Sequence, residues 1–514
     1  MKKLISILLC MILIATSAVC ISPVASAASG ADIPVIHVSG ANAQITRIND
    51  EGVKETVYPL QIPDGYIEEK AEEFLPIFAR AFFTQQWDEF SETLVDILVP
   101  IFEPIALDGN GEVTDGSRAD WTWSVETLRD KKNADGKYDP TAYQFYYDFR
   151  LDPMVIADTL HQYIEDVMTV TGAEKVALYG RCLGSNIVAA YMFKYNGEHV
   201  QEVIHYASSV YGATQCSKAF TGELFIHADG VERFIYDFDL GLDEQYNGLL
   251  QSFVTLFNKT YGLDVTCWAI NNVAEDIYLD IFPEIVRSGY GTFPSYWGMV
   301  SIEDYQRARE TVFYGVDEAD YAGLIEKIEY YRNNVQLKFE ENAAAQAEQG
   351  IEFSNIVKYG YQLLPLTENS GELADRTVTV RESSFGATVS LCEETLSDEY
   401  LSQADPRYIS PDRQIDASTC FSPDTTWFIK NMLHDYFPPC VNALVSEIVN
   451  NDNFTVFSNP EFTQYLIFDD ETQTISPMTA ENCNEHDRWN VTYFEALRRF
   501  FMSLFEIIRI SLFS

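Results

Sequence analysis

Positive charge is scarce in this chain. Lys and Arg together number 34 against 78 Asp and Glu, a formal net charge of −44. Such an acidic balance argues against polyanionic partners, so nucleic acid is not an expected partner. Cys-x-x-Cys pairs are missing, and no His/Cys cluster has zinc spacing, so neither a metal site nor a cofactor is expected. Past the first residues, no uncharged apolar run reaches the roughly 18 residues that a membrane-spanning helix needs.

What the chain does contain begins with Met1-Lys-Lys, an apolar run from Leu4 to Ile14, and Val24-Ala-Ser-Ala27. This is the charged start, apolar middle and small-residue end of a secretory signal, so residues 1–27 are expected to be a signal peptide and the mature protein to be secreted. Hydrophobic content of 47% and aromatic content of 14% suit a well-cored globular protein. Seven cysteines follow the leader: Cys182, Cys216, Cys267, Cys392, Cys420, Cys440 and Cys483. In an exported protein an odd count leaves at least one thiol unpaired, with Cys182 the one best placed to be free, and the other six would allow up to three disulfides.

The chain is organised around Lys175-Val-Ala-Leu-Tyr-Gly-Arg-Cys182-Leu-Gly-Ser-Asn-Ile-Val-Ala-Ala-Tyr-Met192, in which an apolar run ends in a small-residue turn and a helical pattern follows. An amphipathic helix from Met154 to Val170 precedes it, and the apolar Val203–Ser208 run reads as the next strand. Helix, strand, turn, helix, strand is the order of an α/β fold with a mostly parallel sheet flanked by helices. The turn has the Gly-x-nucleophile-x-Gly form of the α/β-hydrolase elbow, with Cys182 as the raised side chain. A cysteine beside glycine also packs as a plain apolar residue in many proteins. With the elbow, the Leu183 N–H at the helix start becomes one oxyanion donor. The β-rich Asp32–Gly40 run and its following loop supply the second, assigned to the N–H of Ala41.

The remaining chain divides around this core. Residues 28–208 read as its first part, 209–350 as a large helical cap, 351–480 as its second part, and 481–514 as a tail with an amphipathic helix. His434 follows the last strand pattern, Thr425 to Lys430, and is the expected base; His486, in a polar loop, is its only serious rival, and His37 lies inside an apolar strand. Two acid loops compete, Asp375-Arg-Thr-Val and Ser-Pro-Asp412-Arg. The segment Leu107–Gly116 is turn-rich but lacks the sixth-place glycine and twelfth-place glutamate of a calcium loop.

Tyr147-Asp-Phe-Arg150, then a helix, then Gly-x-nucleophile-x-Gly, resembles the lecithin:cholesterol acyltransferase-like, lipase-like branch of the α/β-hydrolases. Pro294-Ser-Tyr-Trp297 resembles the Pro-Ser-x-Trp segment of that family's cap, which implies Trp297 and Phe293 as substrate-binding residues covering an acyl chain. Asp375-Arg-Thr-Val with Ser383-Ser384 resembles the family's Asp-Gly-x-Val…Ser-Ser pattern, which favours Asp375 over Asp412, although arginine replaces glycine after both acids. The resemblance implies ester hydrolysis or acyl transfer on a lipid-like acyl ester, with serine at the elbow in the family and cysteine here. A thiol partly ionised near neutral pH and deprotonated by an imidazole serves the same step.

The expected function is therefore a secreted hydrolase or acyltransferase working through Cys182, His434 and Asp375 or Asp412. The alternative is a catalytically silent fold that binds a lipid or other ligand, or a surface interaction protein. The tail helix, Tyr493 to Phe513, has Phe494, Leu497, Phe501, Leu504, Phe505, Ile508 and Leu512 on one face and arginines on the other, which suits docking on the body or peripheral membrane contact.

Overall fold

The computed structural model describes residues 30–63, 65–223, 225–237, 243–368, 370–483 and 491–513. Residues 1–27, read from sequence as a signal peptide, and His486 lie outside the described residues. Among those described, eight strands form one sheet: β1 Val35–Val38, β2 Tyr143–Phe145, β3 Val176–Arg181, β4 Val200–Tyr206, β5 Glu352–Tyr359, β6 Thr426–Lys430, β7 Tyr465–Asp469 and β8 Thr474–Pro477. Their order across the sheet is β8-β7-β6-β5-β4-β3-β1-β2. Every pairing is parallel except β7 with β8. The central strands are buried along almost their whole length, as strands covered on both faces are, and they enclose His37, Glu202 and His205 among mainly apolar residues. The protein is thus α/β, with a mostly parallel sheet between helices.

One face packs against the helices Pro153–Thr171 and Leu183–Tyr195, and the other against Val441–Asn450. Pro153 opens the first of these, with Asp152 accepting the Met154 N–H, and Gly172 closes it in the left-handed conformation. Between β4 and β5 the described chain is helical, from Thr214–Thr221 to Phe339–Ala347. This is the stretch read from sequence as a cap. Helices Tyr66–Thr84 and Asp88–Phe102 bury their aromatic stripe against the long helix Gly262–Arg287.

The tail helix Tyr493–Phe513 packs on the helix Glu244–Lys259, with Ser503 close over Gly248. Phe494, Phe501 and Phe505 nonetheless stay largely exposed. All seven described cysteines are free thiols, contrary to the expected disulfides. Cys392, Cys420 and Cys483 pack instead as small apolar groups in the cluster beside β5 to β7. Leu107–Gly116 is a plain loop whose Asp108 accepts the N–H groups of Asn110 and Glu112 at 2.9 Å.

Candidate active site

At the C-terminal end of β3 the chain turns directly into the Leu183–Tyr195 helix, and Cys182 is the corner residue, with φ 52° and ψ −125°. Those angles are costly for any residue with a Cβ, and they hold because both flanks are fixed. The Cys182 N–H donates to the Tyr206 carbonyl at 3.0 Å, and its carbonyl accepts the Ser185 N–H at 2.9 Å. The two glycines are demanded by space. A Cβ on Gly184 would stand 2.2 Å from the Val38 carbonyl oxygen, and one on Gly180 2.9 Å from the Ser185 Cα. The helix can therefore approach β1 only with glycine at 184.

Asp375 stands in the turn after the short strand Leu373–Ala374, which follows β5, and His434 in the loop after β6. The Asp375 Oδ1 accepts N–H groups from Thr377 at 3.0 Å and Val378 at 2.8 Å, which leaves Oδ2 free to meet Nδ1 of His434 at 2.7 Å. The turn requires φ of 88° at Arg376, and Arg413 has φ of 61° beside the second acid. Those are left-handed positions that favour glycine. Arginine tolerates the place at 376 because its guanidinium donates to the Asp237 carbonyl at 2.9 Å and lies over the rings of Phe234 and Tyr361.

Asp412 is elsewhere. Its carboxylate accepts from Lys430 Nζ at 2.8 Å, Tyr359 at 3.2 Å and Ser410 at 2.6 Å. It is consumed by that buried network and is not the carboxylate on His434.

The thiol, imidazole and carboxylate form one electrostatic unit. Burial opposes a Cys182 thiolate, but His434, the Leu183 N–H and Arg181 outweigh it and hold the thiol below its ordinary value. Burial likewise opposes a charged His434, yet the Asp375 carboxylate and the Cys182 thiolate push it up to about 10. Asp375 is held below the usual carboxylate range: burial works against its charge, and His434, Lys358 and the Val378 N–H prevail. These directions favour a thiolate–imidazolium pair braced by a carboxylate over the neutral thiol–imidazole pair. The competing buried histidines go the other way. Burial drives His37 down to about 4 and His205 down to about 3, so both stay neutral.

Leu183 thus has its N–H on the sulfur. Gly40 runs beside the corner, its Cβ position 3.3 Å from the Cys182 Cβ, so Ala41 follows one residue beyond that contact. Tyr147 is buried next to the thiol and donates to the Ser39 carbonyl at 2.8 Å, which pins the β1 end of the site. Phe293 and Trp297 are both buried. Trp297 Nε1 donates to the Gly291 carbonyl at 2.9 Å, and its ring packs on Phe220 and Phe313. Phe293 packs on Phe149 and Tyr296. Both are core aromatics of the region over the sheet end; Tyr296, between them in sequence, is buried near the Cys182 thiol, as Tyr147 is.

Several site residues escape a sequence reading. Glu382 accepts from both Thr379 and Thr214, the latter at 3.2 Å to N–H and 3.0 Å to the hydroxyl, and so ties the acid turn to the first helix after β4. Lys358 and Arg181 bind the histidine loop. A lysine inside the buried run Ser354–Tyr359 was the one available signal. The buried Asp148–Arg150 pair, with contacts of 2.9 and 2.7 Å, is structural, closing the turn after β2 on the Ile105 carbonyl.

Comparison with family models and with curated proteins gives no match to this chain. The site's own geometry therefore carries the functional argument.

Proposed function

We propose that the protein is an α/β-hydrolase-type enzyme, a secreted esterase, lipase or acyltransferase that acts on acyl esters or thioesters through a Cys182-His434-Asp375 triad. The observation that carries this reading is the strained Cys182 corner, whose thiol is hydrogen-bonded to His434, with Nδ1 of that ring 2.7 Å from Asp375 Oδ2. A packing cysteine has no need of a disfavoured backbone, an imidazole and a helix N–H on its sulfur.

The thiolate attacks the acyl carbonyl carbon, and the carbonyl oxygen takes up negative charge between the N–H groups of Leu183 and Ala41. His434 passes its proton to the departing alcohol or thiol as the old acyl bond breaks, leaving a thioester on Cys182. A water, or an acceptor alcohol, then loses its proton to the neutral imidazole and attacks that thioester. The acyl group leaves as acid or new ester, and the proton returns to the sulfur–imidazole pair. Asp375 holds the tautomer and stabilises the charged ring throughout without taking the proton. A sulfur nucleophile suits activated esters and thioesters. The exposed phenylalanines of the tail helix fit contact with a lipid surface.

The test is a panel of acyl esters and thioesters of graded chain length, assayed on purified wild type and Cys182→Ala. Turnover with a trapped acyl-Cys182, lost in the alanine variant, is expected. Absence of turnover and of labelling by an acylating probe would assign the fold to ligand binding instead.

A further inference from the structure

Two cations lie behind His434 that the triad itself does not use. Lys358 is fully buried on β5, and its Nζ donates to the carbonyl oxygens of Leu433 at 3.0 Å, His434 at 2.5 Å and Tyr436 at 2.8 Å. Arg181, the residue before the nucleophile, donates to the Asp435 carbonyl at 3.2 Å and lies over the Phe437 ring. Four successive carbonyls, 433 to 436, are thus each held by one of two cations. An ammonium has three N–H donors, and here all three are spent on one loop. A fully buried charge is expensive unless it is bonded in this way, and a plain core position would be filled by an apolar residue.

We propose that Lys358 and Arg181 form a cationic clamp that positions His434 and raises the thiolate share of Cys182, with Lys358 as the principal positioning residue. The inference rests on the reading of Cys182 and His434 as the reacting pair. The loop carrying His434 has left the sheet after β6, and its inward carbonyls have no strand partner, so a donor from β5 and one from β3 replace the missing ladder. Both donors are charged, and the charge is felt by the sulfur.

The groups facing Lys358 are known from each side. Burial and Arg181 oppose its charge, and Asp375, Asp435 and the Cys182 thiolate support it, which leaves the ammonium lowered to about 7. The Tyr206 ring on β4 lies under the ammonium at 4.4 Å. Because the thiolate supports the ammonium, the ammonium supports the thiolate by the same amount. As pH falls below neutrality Lys358 carries its full charge and keeps all three carbonyls. Above it, one donor and the charge are lost together. The clamp is therefore strongest on the acid side, where a thiolate is hardest to maintain.

The test is the rate of Cys182 alkylation by iodoacetamide from pH 5 to pH 9.5, read by mass spectrometry of the Cys182 peptide in the full-length protein. In Lys358→Met the rate at pH 6 is expected to fall roughly tenfold, with the rate at pH 9.5 within about twofold of wild type, because only the ionisation has moved. Ester turnover in the same variant should lose kcat with KM little changed. Arg181→Met, at a partly exposed position, should shift the alkylation profile in the same direction, and it decides the matter should Lys358→Met fail to fold. An unmoved profile in a folded variant of either residue, with wild type turning over esters, overturns the clamp alone. A shifted profile in a protein without any acyl turnover overturns the proposed function and leaves the clamp standing.

Discussion

His434 and Asp375 are joined twice: the His434 N–H donates to the Asp375 carbonyl at 2.9 Å, and Nδ1 meets Oδ2 at 2.7 Å. Backbone and side chain together fix the ring, so the carboxylate can be removed without releasing the loop. Asp375→Asn is expected to fold normally and to lose acylation rate by roughly 10³- to 10⁴-fold, as loss of the carboxylate behind a catalytic imidazole does. Single-turnover acylation alongside a thermal melt checks both halves.

Asp412 gives the opposite result. Its partners are Lys430, Tyr359 and Ser410, and removing its charge leaves the Lys430 ammonium half-paired. Asp412→Asn is expected to cost about 3 kcal/mol of stability, in line with broken buried pairs, while kcat stays within about threefold. Urea unfolding measures the first and steady-state kinetics the second. A large kcat loss without destabilisation would return Asp412 to the chemistry.

The pH dependence has a definite sign. His434 rises from 6.5 to about 10, so it holds its proton through the neutral range and loses it only as pH climbs through about 10. The stability it contributes is complete below the unfolded value and disappears through that alkaline window. Cys182 and Asp375 are lowered, so their contributions are present above their unfolded values and fade as pH falls through the folded ones. Turnover should therefore form a bell whose acid limb lies below the ordinary thiol value of 9.0 and whose alkaline limb lies near 10. An acid limb at the free-thiol value would reject the ion pair.

Arg376 tests backbone strain against side-chain contacts. With φ at 88°, alanine there keeps the strain and loses the guanidinium contacts, whereas glycine loses the contacts and relieves the strain. Arg376→Gly is expected to be more stable than Arg376→Ala by about 1 kcal/mol, measured by denaturation of the two variants side by side.

Gly184→Ala should disable the site outright. The added carbon would meet the Val38 carbonyl oxygen at 2.2 Å, and neither the strand nor the helix can yield without moving Cys182. Loss of Cys182 alkylation selectivity together with a lowered melting temperature is the expected outcome.

Much of this arrangement was legible in the chain because it is local. Apolar runs of strand length, the helix from Pro153 with its Gly172 stop, and Gly180-Arg-Cys-Leu-Gly184 each depend on residues a few places apart, so spacing and steric demand reveal the parallel α/β order and its corner. The position of His434 after a strand could be read the same way. What tertiary structure decided is pairing across long separations. Asp375 and Asp412 have similar local sequences, each followed by an arginine in a left-handed turn, and only packing sends one to His434 and the other to Lys430. The cysteines of the second core region suggested disulfides by parity, but their burial as free thiols depends on which elements meet, which parity does not encode. Phe293 and Trp297 carry a pattern that resembles an acyl-chain cover, and only the fold shows their packing partners, Phe149 for the first and Phe220 and Phe313 for the second. Lys358 looks anomalous in an apolar strand until the histidine loop, 75 residues or more away, brings three carbonyls to its ammonium. A charge inside a strand announces that a partner exists; only the fold supplies it.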